Sequence, residues 1–232
     1  MKKIFLILLI FSGLATISAR PDYKTISPFF KKYINKNGVV DYVLLKKRSA
    51  ELEKTLSYLT KIPPLDTWHR NEKLAYWLNV YNLQMLKIIV EHYPFENMLD
   101  LYDGKIWQVK CVKIGEKTYC LDEIEQDIIR RELKEPRIHF AFFTGAVSSP
   151  VLLNQVFTPA NMNQHFETLT KRYIGTNNNQ ISESKIVISP IFKWYESDFK
   201  DIIAFINQYS SVKIRKDAEV VFADYNWNLK EK

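Results

Sequence analysis

From Trp68 to Tyr93 the chain runs without a proline or a glycine, and Pro94 stops it. Its middle, KLAYWLNVYN over Lys73 to Asn82, is apolar or aromatic at most positions. A helix that is apolar nearly all round belongs inside a fold, with other elements wrapped around it. This segment therefore sets the centre of whatever the chain becomes. Two amides, Asn79 and Asn82, sit three residues apart within it, on one helical face. A buried amide left unpaired costs roughly 1–3 kcal/mol, so both need partners, and a buried polar network is expected around them.

Shorter elements flank this helix. Ser27-Pro28 followed by PFFKKYI predicts a short helix entered through a cap and a first-turn proline, and Asn37-Gly38 breaks it. Leucines at near-helical spacing predict one amphipathic helix over 44–61, ended by Pro63-Pro64. A hairpin is expected over about 106–120, then a helix over 121–133 with Asp122, Glu123 and Glu125 in its first turns, where the helix dipole favours them. The dense segment RIHFAFF, Arg137 to Phe143, reads as a buried strand or helix. Further along, the pattern predicts a helix over 158–174, a strand at KIVIS, a helix from Ser189 through Tyr209, and strands at VKIRK and EVVFADYNW. The sum is a single α+β domain, mainly helical, with helices packed on a small, mostly antiparallel sheet.

Lys2 and Lys3, the apolar run Ile4 to Phe11 and the small residues ending at Ser18-Ala19 have the order of a secretory signal peptide. Residues 1–19 are accordingly expected to be removed and residues 20–232 to form the globular domain, periplasmic or secreted. The apolar run is far shorter than the ~20 residues of a membrane span, and no transmembrane segment is expected in the mature chain. The formal charge of +7 is spread over separate clusters beside acidic residues, which argues against a nucleic-acid partner.

The two cysteines, Cys111 and Cys120, lie in QVKCVKIGEKTYCL. A two-residue turn at Gly115-Glu116 sets Ile114 opposite Lys117 and, three steps further along the ladder, Cys111 opposite Cys120. That position is a non-hydrogen-bonded pair with Cα atoms ~4.5 Å apart. In an oxidising compartment a disulfide stapling the hairpin is expected.

Six motifs occur in order along the chain: KLAYWLNVYN, YCLDEIEQDIIR, PRIHFAFFTGAVSSP, FTPANM, SPIFKWYESDF and DYNWNL. Together they resemble the domain of unknown function 547 family over roughly residues 30–229. The resemblance implies no established activity. Many relatives carry cysteine at the positions of Thr144 and Ser149, so thiol chemistry at those positions is lost here, and a hydroxyl in its place would need an adjacent base.

Among chemistry-bearing residues, a buried His139 would be a neutral imidazole, able to act as a base or to be satisfied structurally by backbone or by Asn79 or Asn82. Ser148 and Ser149 are candidate nucleophiles or simply a Ser-Ser-Pro turn, and no G-x-S-x-G elbow is present. Glu125 could orient His139 or form an ion pair with Arg137. Trp194 and Asp198 are expected on one helical face, compatible with the rim of a sugar or peptide site, though an aromatic at this spacing is more often core. Tyr225 and Trp227 could be rim or core. No metal-ligand spacing and no phosphate-cradling glycine loop occur, so no cofactor or metal is implied. Two readings follow. One is a binding or scaffold module for a small-molecule, glycan or peptide ligand, with an Asn/His/Ser polar cluster. The other is an envelope or extracellular hydrolase or transferase, with His139 as base and Ser148 or Ser149 as nucleophile.

Overall fold

In the computed structural model residues 20–231 are described, and the expected signal peptide, residues 1–19, lies outside the described residues. Three helices precede the central one: α1 (Tyr23–Tyr33), α2 (Tyr42–Lys47) and α3 (Ser49–Thr60). The central helix α4 (Arg70–His92) is buried at every position from Leu74 to Leu86, as its composition requires, and α2 and α3 pack on it. A reciprocal cap starts it. Glu72 accepts the His69 N–H at 2.6 Å, while the His69 ring accepts the Asn71 N–H at 3.3 Å.

Local competition for backbone groups explains where these elements depart from the sequence expectation. Helix α1 begins at Tyr23 because the Asp22 carboxylate accepts the Lys24 N–H at 3.0 Å, which leaves Pro28 inside the helix rather than at its start. The helix expected over 44–61 is two helices. Asp41 caps α2, and Arg48, at φ −125° and ψ 29°, breaks the path before α3.

The hairpin of β1 (Val112–Ile114) and β2 (Lys117–Tyr119) has the expected register, Ile114 opposite Lys117 and Val112 opposite Tyr119. The expected Cys111–Cys120 disulfide is not there, and both residues are free thiols. The ladder ends one pair too soon. The Cys111 N–H bonds to the Tyr119 carbonyl at 3.0 Å, out of step with the register. The Cys120 N–H is taken by Glu123 at 2.9 Å and its carbonyl by Ile124, so Cys120 already belongs to the start of the next helix.

That next element is a π-helix, Glu123–Arg130, continued by α5 (Arg131–Leu133). The His139 segment is a 3₁₀ turn, Pro136–Phe140. It leads into the loop of Gly145 and Pro150, and then α6 (Met162–Ile174) packs on the 3₁₀ turn. A three-stranded sheet follows, β3 (Gln180–Ile181) antiparallel to β4 (Lys185–Ile188), with β4 parallel to β5 (Glu219–Phe222). The helix expected from Ser189 to Tyr209 is broken into α7 (Ile191–Trp194), α8 (Glu196–Phe199) and α9 (Ile202–Ile206). Lys200 at φ 60° turns the chain, and Asp201 caps α9 by accepting the Ala204 N–H at 2.8 Å. VKIRK is not a strand. The Asn207 side chain takes both backbone groups of Ile214, at 2.8 and 2.9 Å, in place of a neighbouring strand. The α+β class stands, with small sheets around a helical core, and among the described residues no helix is long and apolar enough to cross a membrane.

Candidate functional site

A cleft of about 250 Å³ opens where α4, the π-helix, the 3₁₀ turn of His139, α7 and the C-terminal segment meet. Small-molecule sites usually start near ~300 Å³, so this is a small one. Its walls are mostly aromatic. Trp194, 48 % exposed, stacks on Trp227 with centroids 5.9 Å apart and lies 5.1 Å from the ring of Tyr225; Trp107 meets Trp227 at 5.4 Å. The last segment is threaded between two loops that hold these rings in place. Met98 N–H donates to Trp227 O at 2.9 Å, Val147 N–H to Asn228 O at 2.8 Å, and Lys230 N–H to Gly145 O at 2.8 Å.

The polar side of the cleft is built in layers. His139, 2 % exposed, shares a hydrogen bond of 2.8 Å between Nε2 and Asp198 Oδ2. Asp198 is also gripped by both arms of Arg130, at 2.6 and 3.0 Å. Nδ1 of His139 has no hydrogen-bond partner among the described residues. The ring stacks on Tyr195 at 3.8 Å, and the Tyr195 hydroxyl donates to Glu125 Oε1. Tyr81 of α4 donates to Glu125 Oε2 at 3.3 Å, and Gln126 Nε2 to Oε1 at 3.2 Å. Glu125, His139 and Asp122 all line the cleft.

Burial moves the two central groups in opposite directions. It pushes His139 down to about 4, against the pull of Asp198, so the imidazole is neutral at pH 7. It pushes Glu125 up to about 7, with Asp122 adding to the rise and the Tyr195 and Tyr81 hydroxyls opposing it. Burial opposes ionisation of Asp198 as well, but hydrogen bonds from Arg130 and His139 hold it below its ordinary range. Between pH ~4.5 and ~6.5 the unfolded chain binds a proton at His139 that the native protein refuses, which makes stability rise by about 1.4 kcal/mol per pH unit. Over the same window the native protein holds a proton at Glu125 that the unfolded chain has lost, which makes stability fall at about the same rate. The two slopes cancel. Glu125→Gln should expose the histidine's slope, and urea denaturation at pH 5.0 and 6.5 should find the variant gaining about 2 kcal/mol more than the parent over that interval. Equal pH profiles for the two proteins would refute the opposed pair.

The two asparagines serve the backbone. Asn79 accepts the Phe157 N–H at 3.1 Å and donates to the carbonyls of Phe157 and Ala75, both at 2.8 Å. Asn82 accepts the Phe143 N–H at 2.9 Å and donates to Ala141 O at 3.0 Å. Neither lines the cleft or bonds to His139, so the shared Asn/His/Ser cluster expected from the sequence is not formed. Asn82 instead pins the stretch that joins His139 to Thr144 onto α4.

Ser148 and Ser149 are buried in the loop. Ser148 Oγ accepts the Asn226 N–H at 3.0 Å; Ser149 Oγ accepts the Thr144 N–H at 2.9 Å and donates to Pro150 O at 2.8 Å. Thr144 does line the cleft, with its hydroxyl 3.2 Å from that of Tyr225. The expected Glu125–Arg137 ion pair does not occur. Arg137 lies toward the surface and pairs with Glu135 and Glu167, because its 3₁₀ turn sends residues 137 and 139 to different sides. Among the described residues no group of three or more His, Cys, Asp or Glu side chains is arranged to hold a metal ion.

The model of a family described as a protein of unknown function, DUF547, matches residues 65–174. Over that stretch the chain is similar to the DUF547 family. No curated protein and no solved structure matches it.

The matched stretch contributes α4, Glu125, His139 and Thr144, while Trp194, Tyr195, Asp198, Tyr225 and Trp227 come from beyond it. Sequence reasoning passed over Tyr81, Trp107 and Arg130, gave Asp122 only a helix-dipole role, and did not see that Tyr195 and Asp198 both attend His139. Tyr195 and Asp198 are three residues apart, a spacing that flags a shared surface but does not name what lies opposite it.

Proposed function

We propose that this chain is a binding module whose aromatic cleft takes a small ligand without turnover, and that it acts outside the cytoplasm. One observation carries the reading. The Ser148 hydroxyl is engaged by the backbone of the closing segment and that of Ser149 by backbone groups of its own loop, both outside the cleft lining, and His139 Nδ1 has neither of them as a partner. A base with no side-chain hydroxyl in reach activates no serine or threonine nucleophile. Thr144, where many relatives carry a thiol, faces the Tyr225 hydroxyl rather than a base. The export half of the proposal rests on Lys2, Lys3 and the run Ile4 to Phe11.

Three of the five tryptophans, Trp107, Trp194 and Trp227, line the cleft, so intrinsic fluorescence reports occupancy directly. Titrating small-molecule, glycan and short-peptide panels should yield a saturable change that Trp194→Ala weakens at least tenfold, with the ligand recovered unaltered. A fluorophosphonate probe should leave the protein unlabelled. Labelling that Ser148→Ala or Ser149→Ala abolishes would overturn the binding reading in favour of a hydrolase.

A further inference from the structure

The ionisable groups that line the cleft are acceptors. Besides the indole N–H groups of Trp107, Trp194 and Trp227, the hydroxyls of Tyr81 and Tyr195, which are spent on Glu125, and those of Thr144 and Tyr225, which face each other, the side chains lining it offer acceptors: Glu125, Asp122 and His139 Nδ1. With Nε2 turned to Asp198, a neutral His139 carries its N–H there and presents a lone pair at Nδ1. That nitrogen is buried and unpartnered on a residue of the cleft wall, and a buried acceptor left without a donor is costly. The same cleft is lined by Trp194, Tyr225 and Trp227, packed on one another, and aromatic rings attract positive charge. The nearest cation, Arg130, is neutralised by its two-armed pair with Asp198, so it does little to repel a second one.

Resting on the binding reading above, we propose that the cleft selects a small organic primary ammonium ion, its N–H groups donating to Glu125, Asp122 and His139 Nδ1 and its carbon skeleton lying against the tryptophans. A neutral alcohol meets the aromatic wall but brings no charge. A carboxylate meets two acids. A quaternary ammonium satisfies the rings and leaves the acceptors empty.

The test uses the purified chain at pH 8, where Glu125 is mostly ionised, and tryptophan fluorescence titrated with n-butylammonium, n-butanol, butyltrimethylammonium and butyrate. Butylammonium should bind at least tenfold more tightly than each of the other three. Glu125→Gln should reduce its affinity about tenfold while leaving that for butanol unchanged, and circular dichroism of the variant guards against misfolding. Nα-Acetyl-lysine methylamide, run alongside, separates the two sources of such a cation: tighter binding than butylammonium assigns it to a protein side chain, weaker binding to a free amine, and either supports the ammonium class. Butanol or the quaternary ion binding as well as butylammonium would overturn this inference. If neutral ring compounds saturate the signal while no amine does, the inference falls and the binding module stands. If the fluorophosphonate labels a serine, the module itself is overturned.

Discussion

Asn82→Ala should destabilise the protein by about 3 kcal/mol, more than its size suggests. The substitution removes two hydrogen bonds and strands both of their partners, the Phe143 N–H and the Ala141 carbonyl, in a part of the core where Ala141, Phe142 and Phe143 are all buried. Each unsatisfied buried group costs roughly 1–3 kcal/mol. Asn79→Ala strands Phe157 in the same way and belongs in the same range. Urea denaturation of both variants measures the loss. A cost below about 1 kcal/mol would mean that the backbone at residues 141–143 finds other partners, and that α4 does not hold the His139 segment as described. Because Asn82 fixes the stretch between His139 and Thr144, the variant should also bind any cleft ligand more weakly, even though Asn82 touches no part of the cleft.

These two asparagines show what could be read in advance and what could not. Their need for partners follows from residue type and setting alone: an amide within a helix that is buried from Leu74 to Leu86 must be satisfied. The identity of those partners does not follow, since peptide groups 59 to 78 residues away look the same whatever the local sequence. Hairpin register was legible because a two-residue turn fixes it within a few residues. The disulfide failed at the next step, where the helix beginning at Cys120 competes for that residue's backbone, a contest between two local signals that each looked sound. His139 was found by residue type, but its partner Asp198 lies 59 positions on, within a helix that the pattern drew unbroken. The cleft was hardest to foresee. Its rings come from the turn at Ile106–Gln108, from α7 and from the closing segment, and no one stretch of sequence carries the shape they make together.

Gly145→Ala should be more damaging still, and its damage should be repairable at a named atom. Gly145 has φ +82°, in the left-handed region where an L-residue costs about 1–2 kcal/mol. A Cβ built there would lie 2.5 Å from Ile89 Cδ1 and 3.1 Å from the Met98 sulfur. Overpacking of a core of this kind adds about 1–3 kcal/mol, for a total of about 2–5 kcal/mol. Gly115 in the hairpin turn separates the two contributions, since it also has a positive φ, 58°, but meets nothing within 4 Å. Gly115→Ala should therefore show the conformational cost alone, about 1–2 kcal/mol. Ile89→Val deletes the clashing Cδ1 at a cost of about 0.5–1.5 kcal/mol by itself. The double variant Gly145→Ala/Ile89→Val should be more stable than the sum of the two losses allows, by at least 0.5 kcal/mol, a coupling expected only of side chains in contact. Additive losses, or a Gly145→Ala cost no greater than that of Gly115→Ala, would mean that the loop is free to move away from α4. The loop would then give up its hold on the closing segment, because the Gly145 carbonyl accepts the Lys230 N–H and the neighbouring Val147 N–H donates to Asn228. Tyr225 and Trp227 ride on that segment, so the shape of the cleft depends on a hydrogen atom at position 145.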